Sequence, residues 1–237
     1  MKIALLGYGK MGKEIEKISL ERGHSISIIV DKDDSISKLK NSDVAINFST
    51  PDSAVNNIKL SLDSSVPAIS GTTGWLEYYN DIMEYSKKSN TSFMYSSNYS
   101  LGVNLFFEMN KHLAKLMNDK TDYVASITEI HHTHKIGSPS GTAVTLAKDL
   151  ISNHPSYSSW KLTGQSENME KSDLPISAIR EENVPGTHLI SYTSEIDTLT
   201  IEHQAHNRKG FALGAVIAAE FIHKKQGVYT MSDILKF

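Results

Sequence analysis

The 237-residue chain contains no cysteine. That absence excludes disulfides, thiolate metal sites and a thiol nucleophile. No apolar stretch approaches the ~20 residues of a membrane-spanning helix. Proline is scarce, with 6 residues, and neither an internal repeat nor a low-complexity tract breaks the pattern. Basic residues number 24 against 27 acidic ones, so the net charge of −3 leaves no broad basic face for nucleic acid. Met1-Lys2-Ile3 leads straight into an apolar run without the layout of a signal peptide. The expectation is a cytoplasmic protein with no membrane or nucleic-acid partner. Hydrophobic content of 39% is enough for a real core.

The first hundred residues alternate short apolar runs with helical periodicity. Strands are expected at Lys2 to Leu6, Ser25 to Val30, Val44 to Phe48, Val66 to Ile69 and Ser92 to Tyr95. Helices are expected at Met11 to Leu20, from Pro51 through Leu62, and at about Leu76 to Lys88. The polar stretch Asp33 to Asn41 reads as loop or a short surface helix. Such alternation implies a doubly wound parallel sheet. After Asn98 the pattern changes. A helix at Val103 to Met117 precedes strands at Tyr123 to Ile130, Ile176 to Arg180, His188 to Thr193 and Thr198 to His203. These suggest an α+β domain with an open mixed, mostly antiparallel sheet, one face covered by helix Thr142 to Ser152 and the other by another subunit. Ser152 to Ser172 reads as irregular, and Ala-rich helix Phe211 to His223 is expected to return to the first domain.

Gly7-Tyr8-Gly9-Lys10-Met11-Gly12 matches G-x-G-x-x-G between a strand and a helix. The glycines allow a tight turn and close backbone approach to a pyrophosphate, and the helix N-terminus adds positive potential. The fold is therefore expected to be Rossmann-like. Asp31 lies nineteen residues after Gly12, placed to accept hydrogen bonds from a ribose diol. Its charge favours NADH, whereas the adjacent Lys32 would meet a 2′-phosphate, so use of NADH and NADPH with NADH preferred is expected. Phe48-Ser49-Thr50, Gly71-Thr72-Thr73-Gly74 and Ser96-Ser97-Asn98-Tyr99 all end strands, where ligands of open α/β sheets lie. Read singly, each is also ordinary turn chemistry.

The run from Glu129 to Ala143 gathers His131, His132, His134, Lys135 and the helix-opening Ser140-Gly141-Thr142 within fifteen residues. Hydride addition to a conjugated C=C/C=N system builds charge that must be protonated. A histidine of ordinary pKa donates near neutrality, and a lysine both donates and attracts a carboxylate. Free N–H groups at Ser140 to Thr142 suit a carboxylate, and Gly141 allows close approach. Three near histidines are also a metal-site pattern, but no familiar ligand spacing accompanies them, so no metal is expected. His134, His203 and His206 read as surface or packing groups. Arg208 either positions the closing segment or makes a surface salt bridge, and Arg180 is expected to pair locally with Glu181-Glu182.

These residues resemble the 4-hydroxy-tetrahydrodipicolinate reductase family, whose motif is similar to E-x-H-H-x-x-K-x-D-A-P-S-G-T-A. The resemblance extends through Gly7–Gly12, Asn47-Phe48-Ser49, Gly71–Gly74, Ser97 to Asn104 and the tail Phe211 to Ala215. It implies that His131 and Lys135 are proton donors and that His132, Gly141 and Thr142 bind substrate. Ser140 joins them as part of the same helix opening. Gly7 to Gly12, Gly71 to Thr73 and Ser96 to Tyr99 would line the dinucleotide. It further implies reduction of a small cyclic dicarboxylate and a homotetramer built through the C-terminal sheet. The domains would be 1–102 completed by 208–237, and 103–207. Hydride and proton donors would then sit on opposite domains, with closure completing the site. Gly137-Ser138 stands where the family usually has Asp-Ala, and Arg180 to His188 lacks the usual Gly-Gly. The competing readings are another two-domain NAD(P)-dependent amino-acid dehydrogenase and a non-enzymatic NAD-sensing protein.

Overall fold

A computed structural model describes residues 1–31, 34, 36–164 and 169–236. In chain order the elements begin with β1 (Lys2–Leu6), α1 (Lys10–Glu21), β2 (Ser25–Val30), β3 (Val44–Asn47) and α2 (Pro51–Asp63). Next come β4 (Ala68–Ser70), a single 3-10 turn at Leu76–Tyr78, α3 (Tyr79–Lys88), β5 (Ser92–Tyr95) and α4 (Leu101–Met117). The remainder is β6 (Val124–His131), α5 (Gly141–Asn153), β7 (Ser159–Leu162), β8 (Asp173–Arg180), β9 (Gly186–Thr193), β10 (Thr198–Ala205), α6 (Lys209–Ile222), β11 (Gly227–Tyr229) and α7 (Met231–Leu235). The chain divides into two compact units, Met1–Leu101 with Arg208–Phe237, and Gly102–Asn207. No helix of the described residues is long and apolar enough to cross a membrane.

Unit 1 is a six-stranded sheet in the order β11-β5-β4-β3-β1-β2, with every pairing parallel. Its inner strands β1, β3, β4 and β5 are buried on both faces, which is why they read as apolar runs instead of alternating ones. Along β1, Ile3 and Leu5 join the core with α1 and α6, while Ala4 and Leu6 join a second cluster with Val30 and Val66. The strand order reverses at β1, with β2 on one side and β3 on the other. Ligands of doubly wound sheets bind at such a switch point. Helix α6 packs tightly because its inner face is small. A methyl on Gly214 would stand 1.7 Å from the Tyr99 carbonyl oxygen.

Unit 2 is a five-stranded sheet, β10-β9-β6-β8-β7. Two pairings, β6·β9 and β9·β10, are antiparallel, and two, β6·β8 and β7·β8, are parallel. The sheet is thus evenly mixed, not mostly antiparallel. The shift comes from β7, a four-residue strand inside the stretch that reads as irregular, and from β8 lying parallel to β6. Parallel neighbours need long connections, which leave no turn signal in the sequence. Helices α4 and α5 cover one face: Phe106, Phe107, Leu146 and Leu150 pack with Ala125, Ile127, Ile176 and Ile190. Burial alternates along β6, so Ala125, Ile127, Glu129 and His131 all face this interior.

Other boundaries move slightly. Helix α4 starts two residues earlier than the periodicity suggests, and β4 is Ala68–Ser70 instead of Val66 to Ile69. No helix forms in the described residues between Asp34 and Asn41, where buried Leu39 anchors the loop. The α6 packing gives a direct stability test. Gly214→Ala should lower the unfolding free energy by about 3 kcal/mol, because the new methyl meets backbone. Gly210→Ala, whose methyl would meet only Ser100 Oγ at 3.6 Å, should stay within about 1 kcal/mol. Urea unfolding of both variants measures the contrast, and equal midpoints would contradict it.

Candidate active site

In unit 1 the loops after β1, β3, β4 and β5 are linked by hydrogen bonds. Gly7 donates to the Val30 carbonyl at 2.7 Å, Phe48 to Leu6 at 2.9 Å, Gly71 to Asn47 at 2.9 Å and Ser96 to Ser70 at 3.2 Å. Ser49 N–H donates to Thr72 Oγ1 at 2.9 Å. Close approach dictates the glycines. A methyl on Gly7 (φ +98°) would lie 2.3 Å from the Phe48 carbonyl oxygen, one on Gly12 2.5 Å from the Gly7 carbonyl oxygen, and one on Gly71 2.3 Å from the Phe48 ring. Gly9 borders open space. It precedes α1, whose first turn has neither a side-chain cap nor an acidic residue. The leading N–H groups therefore remain available to an anion.

The other candidates for the nucleotide site fall into two groups. Tyr8, Lys10, Met11, Phe48, Thr73, Ser96, Ser97 and Asn98 are exposed or half-buried around these loops. Asp31 is exposed at the end of β2, and Lys32 lies outside the described residues. Thr72 and Tyr99 are buried. Thr72 Oγ1 is the acceptor for Ser49, and the Tyr99 hydroxyl donates to Ser70 and Met94 carbonyls at 3.0 and 3.2 Å. Their side chains hold the loops, which leaves backbone groups at these two positions to line a cofactor.

Unit 2 places His131 at the end of β6, beside Glu129, Ser140, Arg180 and His188. Glu129 is fully buried. Its Oε2 accepts the Ser140 N–H at 2.8 Å, and its Oε1 accepts from Arg180 at 3.2 Å. Ser140 caps α5, its Oγ accepting from Ala143 N–H and meeting His188 Nε2, both at 3.1 Å. Arg180 also donates to the Gly137 carbonyl at 2.7 Å and to Ser138 Oγ at 2.6 Å. This corrects the expected pairing with Glu181-Glu182: β8 lies parallel to β6, opposing His131 to Arg180. The side chain reaches inward, while its sequence neighbours are exposed. The His131 and His188 rings meet edge-on at 5.0 Å.

The remaining motif residues surround this cluster. His132 and Lys135 are half-buried, with Lys135 N–H donating to the His132 carbonyl at 3.0 Å. His134 is exposed, with its ring 6.4 Å from that of His132. Gly141 is exposed at the first turn of α5, followed by half-buried Thr142. Ser140 differs from the expectation of a substrate contact, since its N–H and hydroxyl are both engaged inside the protein. His203 lies 6.1 Å from Phe106, a packing position, and His206 is exposed.

Electrostatics follow from burial. Burial alone would raise the Glu129 carboxyl, but the hydrogen bonds from Ser140, nearby His131 and Arg180 outweigh it and hold it below the usual range. Burial lowers His131 to about 4, with Glu129 opposing the shift and Lys135, Arg180 and His132 adding to it. His188 falls to about 3, again chiefly through burial. Both imidazoles are therefore neutral at pH 7, which corrects the expectation of ordinary histidine acidity. One carboxylate, one guanidinium and one ammonium leave an excess of positive charge beside a helix N-terminus, suited to an anion.

Donor atoms of Glu129, His131 and His188 lie within 4.8 Å of one another. A tetrahedral ion at ordinary bond lengths wants donors about 3.4 Å apart. Here Glu129 Oε2 is 3.7 Å from His131 Nδ1 and 4.0 Å from His188 Nε2, and Arg180 already occupies the other oxygen. Sequence reasoning missed Glu129, Arg180 and His188 as members of the site. The available signal was a carboxylate on the inward face of a strand, in register with Ala125 and Ile127.

Two family models match the chain: "Dihydrodipicolinate reductase, N-terminus" over residues 1–99, and "Dihydrodipicolinate reductase, C-terminus" over residues 102–235. A 4-hydroxy-tetrahydrodipicolinate reductase from Christiangramia forsetii is 48% identical over 237 residues, covering 99% of this chain and 98% of that protein. One from Thermosipho africanus is 33% identical, covering 100% and 98%. A solved dipicolinate-bound dihydrodipicolinate reductase from Paenisporosarcina sp. TG-14 has a TM-score of 0.77 at 19% identity, covering 97% of each chain, and shares the fold.

Histidine-resolved NMR titration of the ligand-free protein should give midpoints near 4 for His131 and near 3 for His188. The linkage sign is fixed. Unfolded histidines take up protons below about pH 6.5, while these two do not. Their contribution to stability is therefore lost as pH falls from about 6.5 towards the folded values. Midpoints near 6.5 would refute the buried-neutral assignment.

Proposed function

The chain belongs to the dihydrodipicolinate reductase family and is an NAD(P)H-dependent oxidoreductase that reduces 4-hydroxy-tetrahydrodipicolinate to tetrahydrodipicolinate in lysine/diaminopimelate biosynthesis, and we propose that His131 and Lys135 supply its protons. Unit 1 holds the dinucleotide and unit 2 the cyclic dicarboxylate. The carrying observation is the juxtaposition of His131 with Lys135, Arg180 and the α5 N-terminus around a fully buried carboxylate.

The nucleotide loops fit a dinucleotide: Gly7 and Gly12 let the backbone fold tightly, Gly9 borders open space, and α1 begins uncapped. Bound NAD(P)H supplies the hydride. Asp31, exposed at the end of β2, is placed to accept from a ribose diol and so favours NADH. In unit 2, the Gly141 N–H and His132 engage a substrate carboxylate, and Lys135 and Arg180 supply the attracting charge. A dianion in this site adds negative charge near His131. That raises its proton affinity from the low ligand-free value, so it carries a proton when substrate is present. His131 and Lys135 then supply one proton to the departing hydroxyl and one to the carbon framework after hydride addition, while elimination of the hydroxyl as water releases one ring C–H proton back to the site. The balance is one hydride and one proton taken up and one water lost. We further infer a homotetramer formed through the outer face of the unit 2 sheet, where Val124 and Ile179 are exposed.

A coupled assay with dihydrodipicolinate synthase, pyruvate and aspartate semialdehyde reads the reaction as loss of NADH absorbance. His131→Ala and Lys135→Ala should each lower kcat by ~10²–10⁴-fold, with NADH affinity nearly intact; loss of cofactor binding would contradict the division of roles. Asp31 predicts a higher kcat/KM with NADH than with NADPH, and a strong NADPH preference would remove that assignment. Sedimentation should give four times the 26.3 kDa chain mass, and a monomer would refute the assembly.

A further inference from the structure

Glu129 has no part in the proton steps above, yet it is the one carboxylate of the described residues with 0% exposure. An ionised carboxylate is costly to bury unless every lone pair it presents is matched. Oε1 is matched by Arg180 at 3.2 Å and Oε2 by Ser140 N–H at 2.8 Å. Oε2 is also 3.7 Å from His131 Nδ1, a buried nitrogen that makes no hydrogen bond. The distance is too long for a hydrogen bond to the neutral ring. A protonated imidazole, however, carries N–H on both nitrogens. The charged groups around His131 are Glu129 on its own strand, Arg180 on β8, and Lys135 on the following loop; His132, next in the chain, and His188, on β9, are the other titratable neighbours. Only Glu129 among them is an anion. The opposite ring nitrogen is kept clear: a methyl on Gly186 would stand 3.1 Å from His131 Nε2.

We propose that Glu129 is a positioning residue for the reduction: it receives the Nδ1 proton of His131 as a hydrogen bond when that ring becomes charged, leaving Nε2, on the side where Gly186 carries no side chain, to pass its proton to the substrate. This deepens the reading of His131 as a proton donor and depends on it. Through Ser140 N–H and Arg180, the same carboxylate fixes the α5 N-terminus and the Gly137-Ser138 loop relative to that ring. One residue thereby sets the spacing between the proton donor and the carboxylate clamp. No covalent step is added, since Glu129 accepts a hydrogen bond and does not take the proton.

The test compares Glu129→Gln with the parent protein in steady-state kinetics and in histidine NMR titration with dipicolinate as the probe. The variant should lose about 10–100-fold in kcat, part of the contribution of a general acid, while the KM for NADH stays within about twofold. In the dipicolinate complex its His131 midpoint should fall by about one unit or more, as expected when a neighbouring counter-charge is removed. An unchanged midpoint would overturn the proposal even if kcat falls, because a purely structural role moves stability and not the titration. Gly186→Ala probes the same geometry from the other side and leaves Glu129 in place. It should lower kcat with NADH KM intact, and an unchanged kcat would overturn the assignment of Nε2. His131→Asn separates the two claims: activity within about twofold of the parent ends the proton-donor reading, while the NMR midpoint of Glu129→Gln still judges the Glu129–His131 coupling.

Discussion

A buried carboxylate organises unit 2. Glu129 sits where the alternation of β6 requires an inward-facing side chain, in line with Ala125 and Ile127. An apolar residue there would extend the core by one more layer. The carboxylate instead demands donors, and each donor brings a different part of the chain. Ser140 brings the start of α5 and Arg180 brings the end of β8 together with the loop at Gly137 and Ser138. Hydrogen bonds to a charged, buried acceptor are worth roughly twice those between neutral groups, which is what holds three irregular segments to one point.

The same constraint accounts for the electrostatics. Packing His131 and His188 against each other and away from water lowers both, so neither of these rings adds to the positive charge of Lys135 and Arg180 in the ligand-free cluster. Such a site attracts a dicarboxylate without holding charged imidazoles in its interior. In the proposed mechanism the ligand then supplies the negative charge that lets His131 accept a proton. Unit 1 meets its anion differently, by backbone approach: Gly7, Gly12 and Gly71 are glycines because any side chain would strike Phe48 or the Gly7 carbonyl. Fixed backbone dipoles suit a pyrophosphate, and mobile protons suit a reacting ring.

Much of unit 1 was legible in the sequence because parallel strands buried on both faces appear as uninterrupted apolar runs, and α1 and α2 carry clear helical periodicity. The motif residues of unit 2 were legible because they lie within fifteen consecutive positions. What escaped was whatever depends on distant pairing. β7 is four residues long, with serine at one end and lysine inside it, so it has no pattern to show. Arg180 has two acidic neighbours in sequence, but its partner is 51 residues away. His188 looked like the start of a strand, and only the β6·β9 register sets it beside Glu129. Thr72 and Tyr99 looked like loop residues at strand ends, and only the packed sheet shows their side chains turned inward.

Amide hydrogen exchange at Ser140 tests the organising role of Glu129 most directly. Ser140 is the cap of α5, so no helical carbonyl can protect its N–H, and its acceptor is the Glu129 carboxylate. The account predicts exchange at Ser140 at least roughly a hundredfold slower than at exposed Gly141 next to it, once intrinsic rates are removed. Equal protection at the two amides would contradict it, because the carboxylate would then not be holding the helix start in place.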